Sequence, residues 1–181
     1  MVDLKSLEKR VKENIRNIPD FPKKGIQFKD LMPLLKKPFL MNEIMLSFRE
    51  HFSKNVDGVA GAEARGFIFG SILAYEMGVP FIALRKKGKL PFKTLREEFE
   101  LEYGKDVFEM HIDALNKGDN ILIFDDVIAT GGTAQAAANL IKKAGGNIRG
   151  FAFIVELDYL KGREKIKPLA DDIFSIVHYE R

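Results

Sequence analysis

Apolar and polar residues alternate with helical and strand periods along this chain, and the two periods take turns. Leu4, Leu7, Val11, Ile15 and Ile18 recur at spacings of three and four, which predicts an opening amphipathic helix ended by Pro19 and Pro22. The stretch PDFPKKGIQFKD that follows reads as a loop. A second helix is predicted from about Met41 to Ser53, a short buried strand over Gly58–Gly61, and a helix from Phe67 to Met77. Pro80 to Leu84 is the next strand. From Arg85 to Lys105 the pattern dissolves into charges and glycines, long for a connection and of the kind that often forms a lid. Val107–Ile112 reads as a strand leading back. Ile121–Phe124, a helix over Thr133–Ala144 and a strand over Ile148–Leu157 complete a βαβ unit, and Ile173–His178 is a last strand. Strands alternating with helices predict an α/β fold with a central, mostly parallel sheet covered on both faces.

With 181 residues, 46% hydrophobic and 30% charged, the chain fits one ordinary globular domain. It has no cysteine, which excludes disulfides and thiolate chemistry and fits a reducing compartment. No apolar run approaches membrane-spanning length, and the charged start MVDLKSLEKR is unlike a signal peptide, so a cytoplasmic location is expected, with no membrane partner. A net charge of +3 is too small to argue for nucleic acid. His51, His111 and His178 are scattered without metal-ligand spacing, and each reads as structural or exposed.

The most informative segment is Ile121–Thr133, ILIFDDVIATGGT. It predicts a buried strand, paired carboxylates at its carboxyl end, and a tight glycine turn opening a helix. Ligands of α/β sheets bind outside the carboxyl ends of strands. Glycines let backbone N–H groups approach an anion, and the helix start adds partial positive charge. Acceptors for hydroxyls beside a cradle for phosphate fit a sugar phosphate. The bland alternative is a turn capped by Asp125 and Asp126. Neither a Walker loop nor a GxGxxG dinucleotide fingerprint is present.

Three further segments carry candidate chemistry. In GAEARGFIFG, Gly61–Gly70, the residues Glu63, Ala64 and Arg65 fall in a turn after a strand. Arg65 there suits a bidentate phosphate contact or, equally, a surface role. In RKKGKLP, Arg85, Lys86, Lys87 and Lys89 crowd a loop at a strand end, which suits pyrophosphate or a solvated basic loop. Phe28, taken alone, reads first as a plug of a core edge and second as a stacking platform for a planar base.

The segment ILIFDDVIATGGT resembles the phosphoribosyl-pyrophosphate motif of the type I phosphoribosyltransferases. Together with PDFPKKGIQFKD, GAEARGFIFG, RKKGKLP, LEYGK at Leu101–Lys105 and VELDYLKGREK, it is similar to the adenine phosphoribosyltransferases over nearly the whole chain. That resemblance implies the type I phosphoribosyltransferase fold as a single domain over 1–181, with a hood and base-binding segment over 1–35 and a flexible lid over 85–105. It implies purine salvage: adenine and 5-phosphoribosyl 1-pyrophosphate giving AMP and pyrophosphate, with Mg2+ held mainly by pyrophosphate, ribose hydroxyls and water rather than by protein ligands.

The residue roles implied by the resemblance are specific. Asp125 and Asp126 meet the ribose hydroxyls, while Ala129, Thr130, Gly131, Gly132 and Thr133 wrap the 5′-phosphate. Arg65, Lys86 and Lys89 face pyrophosphate, with Glu63 and Ala64 joined by a non-proline cis peptide. Phe28 and Val127 sandwich the adenine ring, which reverses the local reading of Phe28. Glu102, beside Tyr103 in the lid, takes part in proton transfer at the base. Arg85 reaches pyrophosphate across a homodimer interface. Gln27 and Lys29 depart from the common pattern, where an apolar residue and an arginine are frequent, so base preference depends on whether main chain or side chains read the ring there. The rivals are a ligand-sensing regulator of the same fold, which would carry a DNA-binding segment, and a transferase for 6-oxopurines, which would use a lysine near the base.

Overall fold

The computed structural model describes residues 2–101 and 104–180. Asp3 caps helix α1 (Leu4–Asn14), its carboxylate accepting from the amides of Lys5 and Ser6, and the helix buries Leu7 and Val11. The helix stops four residues short of Ile18. The chain instead forms strand β1 (Arg16–Pro19), antiparallel to β2 (Gln27–Asp30) in a separate two-stranded sheet. Ile18 thus continues the helical spacing by coincidence; it faces Phe28 across the hairpin. Helix α2 (Pro38–His51) has proline in its first turn and buries Ile44, Met45 and Phe48.

The main sheet runs β5-β6-β4-β3-β7-β8-β9. Strands β3 (Gly58–Ala62), β4 (Phe81–Lys86), β7 (Asn120–Ile128), β8 (Asn147–Leu157) and β9 (Ile173–Tyr179) are parallel. Strands β5 (Thr94–Leu101) and β6 (Gly104–His111) add an antiparallel edge beside β4. Helix α3 (Arg65–Met77), closed by Gly78 in the left-handed conformation, joins α1 and α2 over one apolar core. Helix α4 (Gly132–Lys143) covers a second core on the other face, where Ala136, Ala137, Leu140 and Ile141 are buried. After β3 the chain steps to β4 on one side and later to β7 on the other. The crevice at the carboxyl ends of β3 and β7 is therefore the topological switch point, where ligands bind open α/β sheets.

The largest correction concerns 85–105. Arg85 and Lys86 end β4, and most of the expected irregular lid is the hairpin β5–β6. Its strand β5 is rich in charge because it forms the sheet edge, where charged side chains oppose unwanted pairing. Two of those charges find partners: Arg96 Nε lies 2.7 Å from Glu109 Oε1, and Asn139 donates to Glu97 at 3.0 Å. Two shorter differences matter for the site. Strand β7 runs on through the acids to Ile128, and Arg65 opens α3 instead of lying in the preceding turn. A short helix α5 (Gly162–Ile166), with no periodic signal of its own, follows β8. Among the described residues no helix is long and apolar enough to cross a membrane.

Candidate active site

Strand β7 pairs with β3 only as far as Phe124, opposite Gly61, but continues beside β8 to Ile128. Asp125 and Asp126 thus emerge where one flank of the strand has lost its neighbour. Asp125 Oδ1 accepts the amide of Asp126 at 2.9 Å, and a side chain at Gly66 would stand 3.2 Å from the same oxygen. Glycine at 66 lets the start of α3 close on the acid. Asp126 is 2% exposed, and its Oδ2 lies 2.9 Å from Arg65 Nε. The pair is close in charge yet out of line for hydrogen bonding. Asp126 Oδ2 and Arg65 Nη1 are both buried without a hydrogen-bond partner among the described residues.

Burial pushes both carboxyls above the usual range. For Asp125 the neighbouring Asp126 adds to burial, whereas for Asp126 the Arg65 guanidinium opposes it. Half-buried Asp125 and buried Asp126 share one cation here, and buried polar groups are costly until hydrogen-bonded. A ligand bringing hydroxyl donors would satisfy them.

Asp125, Val127, Ala129, Thr130, Gly131, Gly132 and Thr133 line one pocket with Ile128, Ala134 and Phe153. Gly131 caps α4 at φ +77°, a conformation that favours glycine. No side chain caps the helix, and among the described residues no acceptor meets the amides of Thr130, Gly131, Gly132 and Thr133. Those free N–H groups at the positive end of α4 form an anion cradle.

Across the crevice, the Glu63–Ala64 peptide is cis. Glu63 Oε2 accepts from Arg85 Nε at 2.9 Å and from the Lys86 amide at 3.3 Å, which ties the end of β3 to the basic segment. Arg85 Nη1 also donates to the Lys89 carbonyl at 2.9 Å. Lys86 Nζ lies 3.0 Å from Asp106, while among the described residues no acid pairs with Lys87 or Lys89. Sequence reasoning missed Glu109. It is 1% exposed and accepts the Gly88 amide at 2.8 Å while pairing with Arg96, so it fastens the basic turn to the hairpin.

Phe28 is half-buried and plugs no core. The Arg65 guanidinium sits 4.9 Å from its ring centroid, and Phe21 meets it edge-on at 5.1 Å. Gln27 and Lys29 alternate with Phe28 along β2 and turn elsewhere. Gln27 Oε1 accepts from Asn17 Nδ2 at 2.6 Å. Lys29 Nζ donates to Asn17 Oδ1 at 2.9 Å and stands 4.2 Å over the Tyr179 ring. Burial lowers the pKa of Lys29. Glu102 and Tyr103 lie outside the described residues.

The histidines take structural places. His51 meets Asp172 at 2.7 Å and stacks on Phe174, and His178 meets Asp158 at 3.0 Å. Glu156, Asp158 and His178 bring ligand atoms within 4.8 Å of one another, but both Glu156 oxygens are already taken by Arg163 and Ser175.

Residues 35–180 match the model of the phosphoribosyl transferase domain family. The chain is 47% identical over 172 residues to an adenine phosphoribosyltransferase of Koribacter versatilis, covering 94% of this chain and 93% of that protein. It is 48% identical over 174 residues to that of Cytophaga hutchinsonii, with 96% of each covered. The crystal structure of adenine phosphoribosyltransferase from Rhodothermus marinus superposes with a TM-score of 0.90 at 44% identity, covering 97% of this chain and 99% of that one. The enzyme from Saccharomyces cerevisiae, solved with an imino-altritol bisphosphate and adenine, gives 0.88 at 38% identity, covering 95% and 99%. The chain belongs to the phosphoribosyltransferase family, within the group formed by the adenine phosphoribosyltransferases.

Proposed function

We propose that this chain is a purine-salvage pentosyltransferase, converting adenine and 5-phosphoribosyl 1-pyrophosphate to AMP and pyrophosphate. The observation that carries the reading is the junction of free amides at Thr130–Thr133 with Asp125 and Asp126 at the switch point, where Asp126 Oδ2 has no hydrogen-bond partner among the described residues. Phosphate sits on the amides, with Ala129 closing the loop. The acids accept from the ribose hydroxyls. Arg65, Lys86 and Lys89 face the pyrophosphate.

As the C1′–oxygen bond stretches, negative charge grows on the leaving group and positive charge on the sugar ring. The cations stabilise the first, and the carboxylates the second, in a site that excludes water. Mg2+ would be held mainly by pyrophosphate, the ribose hydroxyls and water, and the Asp125 and Asp126 carboxylates are hard oxygen acceptors that would suit its waters. When bound, Mg2+ neutralises pyrophosphate charge.

Adenine lies between Phe28 and Val127. For the ring to enter, Arg65 leaves the Phe28 face and turns to the pyrophosphate. Among the described residues strand β2 pairs with β1 alone, so alternate main-chain groups on its other edge can read the ring. The side chains of Gln27 and Lys29, engaged with Asn17, are bystanders to base choice. The β1–β2 sheet is the hood, and the β5–β6 segment is the lid. Glu102 takes the proton displaced at the base.

Ile68, Ile72 and Tyr75 recur along α3 and are exposed, Tyr75 at 86%. That apolar stripe, on the helix that opens with Arg65, suits a homodimer in which Arg85 reaches the partner's pyrophosphate. A cytoplasmic location goes with this role.

The deciding assay offers the purified protein, Mg2+ and the activated sugar to adenine, hypoxanthine, guanine and xanthine in parallel. Formation of AMP alone supports the reading, and turnover of a 6-oxopurine in preference to adenine refutes it.

A further inference from the structure

Strand β8 is buried from Gly150 to Leu157, yet it carries a carboxylate there, Glu156, only 4% exposed. Burial alone would raise its pKa, but hydrogen bonds from Arg163 and Ser175 overcome that and hold it below the usual range. Arg163 grips it in a fork, Nε to Oε1 at 2.8 Å and Nη2 to Oε2 at 2.6 Å, and Ser175 Oγ donates to Oε2 at 2.7 Å. The remaining arginine arm, Nη1, donates to the Ile173 carbonyl at 2.9 Å. One side chain thus pins α5 to both β8 and β9.

What α5 presses on is the anion cradle. Gly162, next to Arg163, meets the loop backbone to backbone. A Cβ at Gly162 would lie 2.2 Å from the Ala129 carbonyl oxygen and 2.9 Å from the Gly131 nitrogen, and a Cβ at Gly131 would lie 2.6 Å from the Gly162 oxygen. No real side chain fits at those distances. Glu156 itself lies beside Ile128 in the β7–β8 register, where the chain turns into the loop.

We infer that Glu156 and Arg163 are positioning residues for the 5′-phosphate: they hold Gly162 as a buttress that keeps the Ala129–Gly132 backbone in its anion-binding form. The inference rests on the proposed role of that loop. Neither residue lines the pocket, so each acts through Gly162. A fork between guanidinium and carboxylate suits this task because it fixes orientation as well as distance. Lysine at 163 keeps the charge and loses the fork.

The test uses the full chain with Gly162→Ala, Arg163→Lys and Glu156→Gln, titrated separately with ribose 5-phosphate and adenine, alongside the Michaelis constants for both substrates. Each variant should bind ribose 5-phosphate about tenfold or more weakly and raise the constant for the activated sugar to match, with the adenine constant within about twofold of the parent. If Gly162→Ala does not fold, Arg163→Lys decides. Unchanged ribose 5-phosphate affinity, or equal losses for both substrates, overturns the inference. A parent protein that fails to bind ribose 5-phosphate would instead overturn the phosphate role of the loop.

Discussion

Arg65 stands with its Nε 2.9 Å from Asp126 Oδ2, and among the described residues neither that oxygen nor Arg65 Nη1 completes a hydrogen bond. The same guanidinium covers the ring of Phe28. One cation therefore touches both Asp126 and Phe28, and under the proposed function the substrates displace it from each. Replacing both acids, Asp125→Asn with Asp126→Asn, should cut kcat by about 10²–10³-fold, the scale of losing preorganised transition-state charge. Circular dichroism should show the fold intact. Near-normal turnover in the double variant would remove the acids from the mechanism.

The ligand-free protein should be stabilised by Asp125→Asn alone. Burial, with the adjacent carboxylate, raises the folded pKa of Asp125 above its unfolded value. The folded state then holds its proton more tightly, so stability falls as pH rises from the unfolded value through the folded one. Asparagine, which carries no charge, avoids that loss. Glu156 and Asp172 have the opposite sign. Burial raises them, but Arg163 and Ser175 for the first, and His51 and Arg149 for the second, bring both below the usual range. Their stabilisation is full above the unfolded pKa and disappears as pH falls through the folded one. Melting curves should show Asp125→Asn above the parent at pH 7, by about 2–4 °C per kcal/mol gained in a chain of this size. The gap should close in acid. A lower melting point at pH 7 would contradict the assignment.

Phe28→Ala should raise the Michaelis constant for adenine about tenfold or more, from the loss of about 1–3 kcal/mol of stacking. The constant for the activated sugar should stay within about twofold. Gln27→Ala should change neither, because its side chain serves Asn17 and not the ring. If Phe28→Ala moved only the sugar constant, the stacking assignment would be wrong.

Much of this site was legible because its chemistry lies in one continuous segment. A buried run, two acids and two glycines specify strand, acceptors and cradle whatever surrounds them, and Ile121–Thr133 folds that way. The elements that escaped depend on distant partners. Strand β5 reads as a charged loop because the partners of Arg96 and Glu97 among the described residues, Glu109, Asn139 and Lys143, lie further along the chain. The β1–β2 hairpin hides within a helical spacing that Ile18 extends by chance. Gly162 and Arg163 give no signal beyond a glycine beside a charge, since their meaning comes from Ala129, Gly131 and Glu156. The place of Phe28 beneath Arg65 and beside Phe21 required the fold, while its proposed role was suggested only by family resemblance.

Glu102→Gln should lower kcat about 10²-fold while leaving adenine affinity within about twofold, as expected of a proton acceptor that acts in the reaction and not in binding. The pH profile of kcat should lose its acidic limb. An unchanged rate would make Glu102 a bystander.

The central claim is that the Thr130–Thr133 amides hold the 5′-phosphate while Asp125 and Asp126 hold the ribose. A crystal structure with 5-phosphoribosyl 1-pyrophosphate and Mg2+ tests it most directly, through the position of the 5′-phosphorus. The account places that phosphate within hydrogen-bonding distance of those amides, with both sugar hydroxyls on the two acids. An ordered sugar phosphate bound elsewhere, with the loop amides facing solvent, would contradict it.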